Sequence, residues 1–64
     1  MWTVVYVAPN RSIAERLRSM LLAEGFLARL RAVGTTESDS NVEIMVPESE
    51  VGEASELLGK ALTR

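Results

Sequence analysis

The chain of 64 residues contains neither cysteine nor histidine, and this double absence limits how such a chain can fold. A domain of this length buries only about 60% of the surface that its unfolded chain exposes. Small domains usually gain further stability from disulfides, a metal ion or a partner subunit. Without cysteine, disulfides are excluded, and without histidine the commonest metal ligand and general base are missing. We therefore expect one domain, residues 1–64, held together by a well-packed core or by self-association.

Composition and charge narrow the class of protein and its partners. Apolar residues make up 47% of the chain and charged residues 25%, a balance typical of a folded domain. A net charge of −2 provides no basic surface for nonspecific binding to nucleic acid. The N-terminal segment has no basic region, and no apolar run reaches the roughly 18 residues of a membrane span. These features predict a cytoplasmic protein without a signal peptide or a transmembrane helix.

Hydrophobic periodicity predicts five elements. The first strand covers residues 2–8, and a helix follows it, with Asn10 as its N-cap or with Ser12 and Glu15 as a capping box. Gly25 stands where a glycine commonly ends a helix, and Phe26 can close that cap. Strands are then predicted over residues 26–33 and 42–46, separated by a polar loop over 34–40, and a second helix over about 48–62.

The order of these elements, βαββα, predicts an α+β fold. The last two strands form an antiparallel hairpin, and the first helix is long enough to return the chain for a strand parallel to the first. The economical arrangement is a three-stranded sheet of order 2-3-1 with both helices on one face. We therefore expect a ferredoxin-like fold that lacks its last strand.

This topology predicts two surfaces without cover, the edge of the first strand and the sheet face opposite the helices. In the first strand we expect Val5 and Val7 to face the helices, although a register error of one residue would reverse the assignment. The side chains predicted to alternate away from the helices are Trp2, Val4, Tyr6, Leu27, Arg29, Arg31, Val33, Glu43 and Met45. The candidate partner or ligand surface on this open face consists of Trp2, Val4, Tyr6, Arg29, Arg31 and Met45. Exposed apolar patches usually mark contact sites. We expect a homo-oligomer, with a dimer favoured, through the first strand, the open face or both.

The two arginines suggest a ligand for the open face. Together with Trp2 and Tyr6, Arg29 and Arg31 could hold a small anionic effector or stack against a nucleic-acid base. The simpler alternative is a solvated face in which Arg29 or Arg31 pairs with Glu43. Nucleic-acid binding is the less favoured of the two functions, because the chain is acidic.

Other polar clusters have structural interpretations. Glu37, Asp39 and Asn41 have a spacing that could suggest a weak cation site, but they do not meet the EF-hand pattern and suit a solvated loop. Three glutamates near the start of the second helix suit the positive end of the helix dipole. Gly52, Ser55 and Gly59 form a stripe of small residues on this helix, which fits either close approach of another helix or a tolerated defect. We expect no catalytic residue and no metal site.

Several motifs resemble a known family. The segments that carry the resemblance span nearly the whole chain and are Val4–Ala8, Ile13-Ala14-Glu15, Leu21–Phe26 and Val46-Pro47-Glu48. They are similar to short bacterial proteins described as prokaryotic signal-transducing proteins, a domain of unknown function related in shape to PII-type regulators. The resemblance implies a non-catalytic regulatory, signal-transducing or adaptor module that binds a small effector or a protein partner.

Some short relatives carry the label glutamate decarboxylase, and the residues of this chain argue against that activity. The reaction uses pyridoxal phosphate bound to a lysine, with a cradle for the phosphate. Lys60 is the only lysine, and it lies on the polar side of the predicted second helix. No glycine-rich phosphate loop is present in the sequence. We therefore predict neither an enzyme nor a cofactor.

Overall fold

The computed structural model describes residues 1–33 and 41–62. The elements follow in the order β1 (Trp2–Ala8), α1 (Arg11–Ala23), β2 (Arg29–Ala32), β3 (Val42–Pro47) and α2 (Val51–Leu62). A turn of 3-10 helix, Glu48–Glu50, leads from β3 into α2. The predicted loop over 34–40, with Glu37 and Asp39 of the suggested cation site, lies outside the described residues.

Strand β3 lies between β1 and β2 and runs antiparallel to both. The predicted α+β fold with sheet order 2-3-1 is therefore confirmed. Both helices pack on one face of this sheet, where they form a single buried cluster with the strands. Its members are Ala8, Ala14, Leu17, Leu21, Val42, Ile44, Val46, Ala54 and Leu58. The result is a two-layer arrangement, a ferredoxin-like fold without its last strand.

Helix α1 begins and ends with the predicted caps. The Asn10 side-chain oxygen accepts a hydrogen bond from the Ile13 N–H at 2.9 Å, so the helix starts at Arg11 rather than at the alternative capping box. At the other end the Phe26 N–H donates to the Leu21 carbonyl at 3.0 Å. Gly25 has a φ of 95°, a conformation that glycine adopts without strain. This cap turns the chain directly towards β2.

A bulge in β1 overturns part of the predicted facing of that strand. Val4 is opposite Met45 and Tyr6 is opposite Ile44, so Val5 is an extra residue without a partner of its own. Val5 packs against the core, as predicted. Beyond it the alternation is reversed, and the predictions that Tyr6 faces outward and Val7 inward were wrong. Tyr6 packs against the core, whereas Val7 is 45% exposed.

Strand β2 is shorter than predicted. It pairs with β3 only from Arg29 to Ala32, whereas the prediction began it at residue 26. The Leu27 N–H explains the late start, because it donates to the Glu50 carboxylate at 3.1 Å instead of joining the sheet. At the strand's other end Ala32 is exposed, although it lies on the same side of the strand as Leu30, which packs against the core.

Helix α2 buries one narrow stripe of its surface. Ala54 and Leu58 are buried, and Val51 and Leu57 pack against the core beside them. Leu62 continues the same helical spacing but is 45% exposed. Since α2 packs on β1, which is the last strand on its side, nothing in the described sheet lies beyond that edge to cover the helix end.

Candidate functional site

The sheet face opposite the helices carries the candidate site, and we call this surface the open face. Cross-strand pairing arranges its side chains in rows, since directly opposed residues lie on the same side of a sheet. Val4, Met45 and Arg29 form one row. Val7, Glu43 and Arg31 form the next row. The open face therefore carries both apolar and charged side chains.

A concavity of ≈ 420 Å³ opens on this face. It is lined by Trp2, Arg29, Leu30, Arg31 and Met45. The guanidinium carbon of Arg29 lies 4.8 Å from the centre of the Trp2 ring, within the range of a cation–π interaction. The ring and the guanidinium come from the two edge strands, and Met45 of the central strand lies between them. The strand order alone brings these distant parts of the sequence together.

The two arginines of the concavity differ in their electrostatic partners. The Arg31 Nε donates to the Glu43 carboxylate at 2.8 Å, and this ion pair neutralises its charge. For Arg29, the described parts of the chain contain no carboxylate within 4 Å. The positive charge of Arg29 is therefore stacked on an indole ring but not compensated by an acidic group of residues 1–33 or 41–62. An uncompensated guanidinium of this kind favours contact with an anionic group.

Most of the residues predicted for the site do come together. Trp2, Arg29, Arg31 and Met45 line the concavity, and Val4, which is 36% exposed, lies in the same row as Met45 and Arg29. Tyr6 does not join them, because the bulge at Val5 turns it towards the helices. The same bulge brings Val7 to the open face, and no feature of the sequence pattern predicts it. The pairing of Arg31 with Glu43 agrees with the simpler alternative for that one arginine.

Other kinds of site find no support in the described structure. Residues 1–33 and 41–62 contain no cluster of three acidic side chains arranged to hold a metal ion. Of the three glutamates near α2, Glu50 has a structural role, since it accepts the hydrogen bond from the Leu27 backbone. In the described part of the chain, no helix has the length and apolar character needed to cross a membrane.

Comparisons with known proteins add no further residues to this site. No family model matches the chain, and neither a curated protein nor a solved structure matches it.

Proposed function

We propose that this chain is a small non-catalytic regulatory module that binds a small anionic effector in the concavity of the open face. The observation that carries the proposal is the position of Arg29. Its guanidinium lies over the Trp2 ring, at 4.8 Å from the ring centre. It has no carboxylate partner among residues 1–33 and 41–62. A ligand that carries a carboxylate or phosphate group would supply that partner.

The geometry of a stacked guanidinium suits such a ligand. A guanidinium held over an indole ring by its flat face, as the position of Arg29 above Trp2 allows, keeps the N–H donors along its edge available. Those donors match the two oxygens of a carboxylate or phosphate in a bidentate contact. Met45 and the aliphatic part of the concavity offer an apolar surface to the remainder of the ligand. The chemical class that fits is therefore a small organic anion with an apolar portion.

Two further considerations support a regulatory role over the alternatives. The family resemblance described from the sequence motifs implies an effector-binding or adaptor module. A nucleic-acid interface of the kind considered from the sequence would use both aromatic rings of β1, but Tyr6 packs against the core instead. In addition, Arg29 already occupies a face of Trp2 on which a base would stack.

We also propose that the chain self-associates, as expected from the sequence. Strand β1 is an edge of the sheet and carries no charged side chain from Trp2 to Ala8. Edge strands of proteins that remain monomeric are commonly protected by charges or proline. A long uncharged edge is therefore the surface that favours contact with another chain.

Trp2 makes the effector proposal directly testable, because it is the only tryptophan in the chain and lies in the concavity. We would titrate the protein with inorganic phosphate and with a panel of mono- and dicarboxylates while recording tryptophan fluorescence. The expected result is a saturable change for at least one anion, and its loss in Arg29→Gln. The matched control is Arg16→Gln, which removes an exposed arginine from α1 and should leave the change intact.

Two results would contradict the effector proposal. One is the absence of any saturable response across the panel. The other is an equal response in wild type and Arg29→Gln, since the anion would then bind elsewhere. A response to acidic peptides alone would assign the open face to a protein partner instead of a small effector.

A further inference from the structure

The outer side of β1 is a free edge seven residues long. At about 3.3 Å per residue, this edge extends over roughly 23 Å. Among residues 1–33 and 41–62, the only strand beside β1 is β3, on the inner side. The backbone groups along the outer side therefore have no partner from the described sheet, and they form a template for another strand.

Helix α2 has its smallest residues on the side of this edge. The helix packs on β1 and β3, and α1 contacts it on one flank. Leu57 packs against the core, and the right-handed β1–α1–β2 crossover together with the right-handed turn of α2 places it on the side of α1. Gly52, Ser55 and Gly59 lie about a third of a turn or more away across the buried stripe, on the opposite flank, and are exposed. The flank of small residues thus faces away from α1, on the side of the free edge.

We infer that a second copy of this chain occupies that edge, with β1 pairing antiparallel to β1 of the partner about a two-fold axis. The three strands of each copy then form one continuous sheet. The two α2 helices become neighbours in the helix layer. The exposed Leu62, which lies beside the flank of small residues, gains cover at the same time.

The spacing of strands brings the two α2 helices of this arrangement within packing distance of each other. Each α2 lies over β1 and β3 of its own copy. Because paired strands are about 4.8 Å apart, two such helices lie about 10 Å apart across the two-fold axis. Helices in direct contact are about 8–10 Å apart, and the lower distances require small side chains. Gly52, Ser55 and Gly59 allow the two helices to approach to the shorter distances in this range, and a Cβ added at Gly52 meets no atom within 4 Å in its own chain.

A second copy of this chain fits both the free edge of β1 and the flank of small residues on α2, whereas an isolated strand of another protein fits only the edge. A foreign strand could pair with β1 but would not pack against the small residues of α2. A two-fold interface places each surface against itself, so like charges across it are destabilising. Neither β1 nor the set Gly52, Ser55, Gly59 and Leu62 contains a charged residue. The edge is therefore compatible with its own copy along its whole length.

This inference rests on the self-association proposed above and is independent of the anion site. We would measure sedimentation of the wild type from low to high micromolar protein beside Ser55→Leu and Ser55→Ala. The leucine obstructs the helix contact, whereas alanine keeps the flank small. Because overpacking a close contact costs about 1–3 kcal/mol, the dissociation constant should rise about 10- to 100-fold in Ser55→Leu. It should stay near the wild-type value in Ser55→Ala and in Ser19→Leu, which adds a leucine to an exposed position of α1.

A second pair of variants tests the strand without touching α2. Val7→Lys places a charge on the edge strand, and Met45→Lys places the same charge one strand further in, on the same face. We expect the first to weaken the dimer and the second to leave its dissociation constant unchanged. Circular dichroism checks that each variant is folded.

The outcomes separate the inference from the proposal on which it rests. A monomeric wild type at every concentration overturns both the self-association and this interface. A dimer that Ser55→Leu and Val7→Lys leave intact overturns only the interface, because the chain then associates through another surface. A dimer weakened by Ser55→Leu or by Val7→Lys, but not by their controls, supports the inference.

Discussion

The two faces of the sheet are built from the same strands but differ in how deeply their side chains are buried. On β3, Val42, Ile44 and Val46 face the helices and are no more than 2% exposed. Glu43 and Met45 alternate with them and lie on the open face, where they are only half-buried. The Cα trace is only 16 Å thick in its smallest dimension, which leaves room for one helix layer but not for a second. The covered face therefore contains the core, whereas the open face remains accessible to solvent.

The largest effect should come from removing a side chain of the covered face. We expect Ile44→Ala to lower the free energy of unfolding by about 3 kcal/mol, because it leaves a cavity in the core. Met45→Ala, one residue along the same strand, should cost less than about 1 kcal/mol, since its side chain lies on the open face. Urea denaturation followed by circular dichroism measures both. Equal losses would mean that the open face also carries the stability of the domain.

The bulge in β1 allows the same comparison between adjacent residues. We expect Tyr6→Ala to lower the free energy of unfolding by about 2 kcal/mol, because the ring packs against the core. Val7→Ala should cost less than about 1 kcal/mol, because Val7 is exposed on the open face. The same urea titrations measure the difference. A larger loss of unfolding free energy in Val7→Ala than in Tyr6→Ala would mean that β1 alternates regularly and has no bulge at Val5.

Alanine substitutions at two glycines test how the helix layer on the covered face contributes to stability. At Gly25, which ends α1 with a φ of 95°, alanine should lower the free energy of unfolding by about 1–2 kcal/mol. At Gly52, an added Cβ meets open space, so alanine should raise it by about 0.5–1 kcal/mol through helix propensity. Thermal unfolding at low protein concentration compares the two variants. Destabilisation by Gly52→Ala would show that the small flank of α2 already has a close neighbour within the chain.

The smallest effect concerns the ion pair on the open face. A double-mutant cycle on Arg31 and Glu43 should give a coupling energy of about 0.2–1 kcal/mol, because the Arg31 side chain is largely exposed to solvent. The coupling should decrease in high salt, which screens exposed charges. Urea titrations of the wild type, both single variants and the double variant give this value. A coupling that is larger and insensitive to salt would mean that this part of the open face is shielded from water.

The sequence predicted the parts of the fold that depend on local chemistry. Asn10 and Gly25 mark the ends of α1 through hydrogen bonds and a backbone angle that involve only near neighbours. The alternation of β3 predicted which of its side chains are buried, because a strand covered on one face has a period of two. Of the candidate site, Arg29, Arg31 and Met45 followed from the same reasoning.

Other features depended on contacts between distant segments. The late start of β2 depends on Glu50, which is 23 residues from Leu27 in the sequence. The Glu50 carboxylate accepts the hydrogen bond from the Leu27 N–H. The partner of Arg31 was open in the sequence, since either arginine could have paired with Glu43. Cross-strand register decided the choice by placing Arg31 directly opposite Glu43 and Arg29 opposite Met45.

The sequence by itself determined the order of elements, the strand order that follows from it, and the lack of charge along β1. Only the tertiary structure decided which side of β1 the residues after Val5 face, because the bulge at Val5 arises from pairing with β3 and not from any local preference. Only the tertiary structure also placed the Arg29 guanidinium over the Trp2 ring, since the two residues lie on opposite edges of the sheet. Local propensity sets the period of a strand, but its register is set by the partner with which it forms hydrogen bonds.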